Sequence, residues 1–194
     1  MDLVRAFIAI ELPKSLQDSI QTATSGLQSS LGADLVRWTP IRNIHLTLKF
    51  LGDISPANID ILTQMLTMES SRYSAFDMRV EGIGSFPTPK RPRVLWVGLN
   101  APAALPSIAH GIETASAKLG YPAEERGFSP HLTIGRVRQN AATADLQKIS
   151  TALDETKVGI LGVAHIDAID LYKSDLQPGG SVYTRLFSAP LGKQ

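Results

Sequence analysis

Two short runs in this 194-residue chain carry the residue types and spacing that chemistry needs. His45-Leu46-Thr47-Leu48 and His131-Leu132-Thr133-Ile134 both read His-Leu-Thr-apolar, and they use two of only four histidines. On a strand, residues two apart share a face. His45 and Thr47 therefore project together, and so do His131 and Thr133. The aliphatic residues between them anchor the other face. Two such strands brought side by side would form a cleft with two imidazoles and two hydroxyls. That set suits phosphodiester chemistry without a metal. One neutral imidazole accepts a proton while a charged one donates. Repulsion between the two rings disfavours charging both. The hydroxyls can donate to non-bridging phosphate oxygens and hold them for displacement.

A metal is the competing use of histidine. It would require three or four ligands, and no His-x₃-His pair or acidic cluster accompanies either run. His110 falls off the apolar stripe of its helix and reads as solvated. His165 lies in an expected strand and reads as structural or superficial. The chain has no cysteine, which excludes disulfides and thiolate chemistry and suits a reducing compartment.

Lys and Arg total 19 against 18 Asp and Glu, a net charge of +1, so the average gives no hint of a polyanionic partner. The distribution is uneven. Residues 37–52 hold Arg37, Arg42 and Lys49, residues 82–112 hold Lys90, Arg91 and Arg93, and residues 126–144 hold Arg126, Arg136 and Arg138. None of these windows contains an acid, and two of them contain the His-x-Thr runs. Positive charge around a cleft would attract a phosphate backbone. Lys49 shares strand parity with His45 and Thr47 and is a candidate for the cleft. Arg136 has the wrong parity relative to His131 unless Gly135 makes a bulge. Phe7, Phe50, Trp96 and Phe128 are candidates for a base-stacking surface, although Phe7 and Trp96 sit in apolar runs that suit core packing.

The elements that must position these residues follow from periodicity. Val4 to Glu11 reads as a buried strand. Leu16, Ile20, Ala23, Leu27 and Leu31 give one helical face stopped by Gly32. A strand over 44–51 and a helix from Ser55-Pro56 follow. Strands are expected over 76–82 and 93–99, with a loop over 84–92 between them. A helix over 102–119, a strand over 132–138 and a helix over 141–153 come next. One broken strand or two should span 157–172, and a Gly179-Gly180 turn should precede a last strand over 182–187. Mixed elements without strict alternation favour an α+β fold with mostly antiparallel sheets. A repeat is also visible. Arg5-Ala-Phe-Ile-Ala-Ile and Arg93-Val-Leu-Trp-Val-Gly each lead through proline into a helix. The two His-x-Thr strands follow them at nearly the same distance. The expected units are about 4–68 and 92–154, with 155–194 completing one lobe of a single bilobal domain.

The paired motifs, in the runs His45-Leu-Thr-Leu-Lys-Phe-Leu-Gly and Ser129-Pro-His-Leu-Thr-Ile-Gly-Arg, resemble those of the 2H phosphoesterases. Within that superfamily the chain resembles the RNA 2′,3′-cyclic phosphodiesterases, also called 2′-5′ RNA ligases. Arg5 to Ile10, Arg93 to Gly98 and Leu171-Tyr-Lys-Ser extend the resemblance over nearly the whole chain. It implies two pseudo-symmetric lobes around a central cleft. It implies hydrolysis of an RNA terminal 2′,3′-cyclic phosphate to a 2′-phosphate with no metal or other cofactor. His45 would be the proton donor to the leaving 3′ oxygen and His131 the proton acceptor that activates water. Thr47 and Thr133 would bind the phosphate. The same site would join a cyclic phosphate to a 5′-hydroxyl as a 2′-5′ linkage without ATP. Lys49, Phe50, Phe128 and Arg136 are further candidates for contact with substrate. The expected partner is RNA with a cyclic phosphate end, or a small nucleotide, for a cytoplasmic monomer that does not engage a membrane. Two alternatives stay open. One is a phosphodiesterase acting on a small cyclic nucleotide or ADP-ribose cyclic phosphate. The other is a non-catalytic RNA-binding module.

Overall fold

Strand β1 (Val4–Glu11) is buried on both faces, which explains its uninterrupted apolar run. Ala6, Ile8 and Ile10 enter the main core, while Phe7 and Ala9 join a smaller cluster on the opposite face. The computed structural model describes residues 3–192 except Glu125 and Gly179. Helix α1 (Lys14–Leu35) buries Leu16, Ile20, Leu27 and Leu31, as their spacing predicts. Thr24 completes that stripe in place of Ala23, and its hydroxyl donates to the Ile20 carbonyl at 2.8 Å. Gly32 breaks the helical path with a φ of 66°, a conformation that favours glycine, and a further short helical stretch reaches Leu35.

The remaining elements are β2 (Val36–Trp38), β3 (His45–Ile54), α2 (Ile59–Ser70), β4 (Phe76–Thr88), β5 (Arg91–Asn100), α3 (Ala104–Lys118), β6 (His131–Val137), α4 (Thr143–Glu155), β7 (Ile160–Ile166), β8 (Ala168–Gln177) and β9 (Gly180–Pro190). The expected loop over 84–92 is mostly strand, because β4 and β5 continue as a hairpin almost to its tip. Proline is tolerated there for a physical reason. Pro87 pairs with Pro92 of β5, and among the described residues β4 has no second neighbour beyond Glu81 whose ladder a proline would interrupt. The stretch over 157–172 resolves into two strands, β7 and β8. Gly179 of the expected turn lies outside the described residues.

The strands form two antiparallel sheets, ordered β3-β1-β8-β9 and β2-β6-β5-β4-β7. Both contain the same local arrangement. A repeat strand (β1 or β5) lies between a His-x-Thr strand (β3 or β6) and a further strand (β8 or β4). The segment after Leu153 serves both sheets and not one lobe alone: β7 edges the second sheet, while β8 and β9 complete the first. The helices cross over. Helix α1 follows β1 of the first sheet yet packs with α4 against the second, along β2, β7 and β5. Helix α3 follows β5 of the second sheet yet packs with α2 against the first. One continuous apolar core results, running from Ile8 and Leu46 to Leu95 and Leu132. No helix of the described residues is long and apolar enough to cross a membrane.

Candidate active site

Strand β3 is the outer strand of the first sheet. In the second sheet, β2 pairs with β6 from Gly135 to Val137, so among the described residues the half carrying His131 and Thr133 has β5 as its only sheet partner. Strands β3 and β6, which carry the two His-x-Thr runs, lie next to one another across the two sheets. Leu46, Leu48, Leu132 and Ile134 are buried as anchors, whereas His45, Thr47, His131 and Thr133 are half-buried on the other face.

The two imidazoles are oriented alike. His45 Nδ1 lies 2.8 Å from the Asn43 carbonyl, and His131 Nδ1 lies 2.7 Å from the Ser129 carbonyl. A carbonyl only accepts, so each Nδ1 carries the hydrogen and donates it. Each Nε2 is left free for chemistry. In a neutral ring it holds a lone pair and is a base; in a charged ring it is a proton donor. Neither threonine hydroxyl has a hydrogen-bond partner among the described residues, which leaves both able to donate to a ligand.

Their surroundings differ. His45 stacks on Phe7 with ring centres 4.8 Å apart, and Tyr183 meets it edge-on at 5.3 Å. Phe7 stacks in turn on Tyr172 at 5.4 Å. Burial in this aromatic setting pushes the His45 imidazole down from 6.5 to about 4, against a smaller opposing effect of the Asn43 carbonyl. His131 meets one aromatic ring, Phe86, edge-on at 4.9 Å, and Phe86 lies 5.3 Å from Trp96.

The candidate flanking residues depend on two β-bulges. In β3, Ala9 pairs with Thr47 but Ile8 pairs with Lys49, so Leu48 is an extra residue. Strand parity flips there, and the expectation for Lys49 fails as a result. Lys49 is 1% exposed and points inward with Leu48. Its ammonium donates to Glu113 Oε1 and to the Pro122 carbonyl, both at 2.6 Å, which satisfies a buried charge inside the fold. Phe50 takes the outward position instead, 56% exposed, with its ring centre 6.3 Å from that of Phe7.

The second bulge is the counterpart of the first. Trp96 pairs with Thr133 but Leu95 pairs with Gly135, so Ile134 is extra and Arg136 becomes exposed, as a bulge at Gly135 requires. Glycine is needed at that point. A methyl group at position 135 would lie 2.7 Å from Val36 Cγ1 and 3.0 Å from the Trp38 ring. Phe128 is half-buried against the main core, in the segment leading to β6. His110 is exposed on α3, and exposed His165 holds Asp77 at 2.8 Å through Nδ1.

The tail supplies residues that sequence reasoning misses. Asp170 and Tyr172 of β8 lie beside Ala9 and Phe7, and Tyr183 and Arg185 come from β9. Asp170 is 3% exposed, and burial raises its carboxyl above the usual range. Tyr172 donates to Asp170 Oδ2 at 3.4 Å, and Arg185 reaches Glu11 Oε2 at 3.2 Å and Asp170 Oδ2 at 3.9 Å. Strand parity on β1 signals part of this, since Phe7, Ala9 and Glu11 share the face away from Ile8. Which strand covers that face is a long-range fact. Among the described residues, no group of three or more His, Asp or Glu side chains is placed to hold a metal.

The family model described as LigT like Phosphoesterase matches the chain twice in succession, over residues 10–96 and 97–183. An RNA 2′,3′-cyclic phosphodiesterase of Methanothermobacter thermautotrophicus is 30% identical, over 93% of this chain and 95% of its own. One from Aquifex aeolicus is 30% identical, over 95% of each. Among solved structures, TT0787 of Thermus thermophilus superposes with a TM-score of 0.80 at 23% identity, covering 98% of this chain and 99% of its own. Escherichia coli LigT complexed with 3′-AMP superposes with a TM-score of 0.74 at 23% identity, covering 97% and 98%. These structural likenesses establish the bilobal α+β fold.

Proposed function

The chain belongs to the LigT-like phosphoesterase family, and we propose that it hydrolyses the 2′,3′-cyclic phosphate at an RNA end to a 2′-phosphate. The observation that carries this reading is the pair of imidazoles on adjoining strands, each with Nδ1–H held by a backbone carbonyl and Nε2 free. The names of the relatives, cyclic phosphodiesterases over nearly the full chain, support the choice of substrate.

In this reading Thr47 and Thr133 donate to the non-bridging oxygens of the cyclic phosphate. His131 Nε2 takes a proton from water as the water oxygen attacks phosphorus. The bond from phosphorus to the 3′ oxygen breaks, and His45 Nε2 gives that oxygen its proton. The product carries a 2′-phosphate and a 3′-hydroxyl. His45 in the free protein is neutral at pH 7, because burial depresses it. Its donor role therefore depends on the substrate, whose phosphate anion favours the charged ring when it arrives. Arg136, exposed beside the second motif, adds positive charge for the same anion, and exposed Phe50 offers a face to the terminal base. With a 5′-hydroxyl in place of water, the same steps form a 2′-5′ linkage without ATP.

The test is hydrolysis in EDTA of an RNA oligomer ending in a 2′,3′-cyclic phosphate, beside a mononucleotide 2′,3′-cyclic phosphate. Conversion to the 2′-phosphate is expected, with loss of at least about a hundredfold in His45→Ala and His131→Ala. Full activity in either folded variant would sink the two-histidine mechanism. Turnover of the mononucleotide alone would reassign the substrate to small cyclic nucleotides.

A further inference from the structure

The tip of the β4–β5 hairpin faces α4 across a groove of about 780 Å³. Lys90, Arg91 and Arg93 line one side, all exposed. Among the described residues, no carboxylate forms an ion pair with any of the three. Helix α4 lines the other side with Thr143, Gln147 and Ser150, uncharged groups that can donate or accept hydrogen bonds. One carboxylate, Asp154, also lines it. Three neighbouring cations repel one another, and among the described residues no ion pair or hydrogen bond holds their side chains. Arg91 and Arg93 stand roughly 7 Å apart along β5 at about 3.3 Å per residue, with Lys90 in the turn before them, a spread longer than one phosphate group. A chain of phosphates fits that spread better than a single anion.

The groove lies at the far end of the hairpin whose other face borders the second motif. Pro87 lines the groove, and the preceding residue, Phe86, packs against His131 at 4.9 Å. We propose that this groove holds the phosphodiester backbone of single-stranded RNA a few nucleotides from the reacting end. The proposal rests on reading the cleft as a site for RNA ends. It adds a reason for that substrate to be an oligomer: the cleft binds the terminal phosphate, and the hairpin tip holds the chain behind it.

The test compares wild type with the triple variant K90A/R91A/R93A, in which every changed side chain is exposed. A labelled single-stranded RNA of about ten nucleotides with a plain 3′-hydroxyl is titrated at several salt concentrations. Binding is expected to weaken about tenfold, and the plot of log K against log salt to flatten by about 2, near 0.7 per lost phosphate contact. KM for the oligomer with a cyclic phosphate end should rise about tenfold, while turnover of the mononucleotide cyclic phosphate holds. The charge-preserving variant R91K/R93K should keep both binding and slope. Unchanged binding and slope in the triple variant would overturn the proposal, as would equal losses on oligomer and mononucleotide. If wild type hydrolyses neither substrate, the reading of the cleft fails, while the binding titration still decides the groove.

Discussion

His45 is packed between Phe7 and Tyr183, so a proton on its ring must compete with the loss of hydration around it. The folded ring titrates at about 4 and the unfolded one near 6.5. Between those values the unfolded chain binds more protons, so stability is complete above pH 6.5 and falls as pH drops toward 4. The shift bounds the loss at about 3 kcal/mol, and partial solvation of the ring lowers it. His45→Gln keeps a polar side chain without the titration. Urea unfolding at pH 7 and pH 5 should show a larger loss of stability in wild type than in His45→Gln, and equal losses would show that the ring does not titrate low. At this scale the sequence makes the motifs legible, because His-x-Thr on a strand states its own geometry. Parity counting misplaces Lys49 because it assumes an unbroken strand, and the extra residue at Leu48 turns that lysine inward to Glu113. Tyr183 is not legible as a neighbour of His45, nor Tyr172 as the ring behind Phe7, since more than a hundred residues separate them from the motif in the chain.

Strands and their irregularities decide which residues reach the cleft. The bulges at Leu48 and Ile134 occupy matching places in β3 and β6, one step after each threonine. Each turns the following residues over, so Phe50 and Arg136 become outward counterparts. The sequence signals only the second bulge, through Gly135. Helices and strands are otherwise readable from apolar spacing. The hairpin over 84–92 is not, because its prolines look like a loop until β4 is known to lack a neighbour there. Gly135→Ala tests the role of the second bulge. The added methyl meets Val36 at 2.7 Å, so β2 and β6 must part or the bulge must shift. A cost of about 1–3 kcal/mol is expected from overpacking. KM for a cyclic phosphate substrate should rise in the folded variant as Arg136 moves. A variant with wild-type midpoint and KM would show that the close contact at Val36 does not fix the strand.

The crossing helices join the two sheets into one core. The first sheet takes β1 and β3 from the first repeat, α3 from the second, and β8 and β9 from the tail. The second sheet takes α1 and β2 from the first repeat and β7 from the tail. The repeat is legible in the sequence, but this exchange is not, because local periodicity says which face of a helix is apolar and not which sheet covers it. Net charge is similarly blind to assembly. Of the basic residues noted in sequence, Lys49 is spent inside the fold, Arg136 lies beside the second motif, and Lys90, Arg91 and Arg93 share one groove. The exchange has a thermodynamic consequence. Neither half of the chain can cover its own sheet, since a fragment ending near residue 90 exposes Ile8, Leu46 and Leu48 without α3 and lacks β8 beside β1. Such a fragment should have little fixed tertiary structure, with poorly dispersed amide resonances in solution NMR. The whole chain should unfold in one cooperative transition, with far-UV and near-UV circular dichroism giving coincident urea curves. Two separated transitions, or a well-dispersed spectrum from the fragment, would mean that the lobes are independent units merely placed side by side.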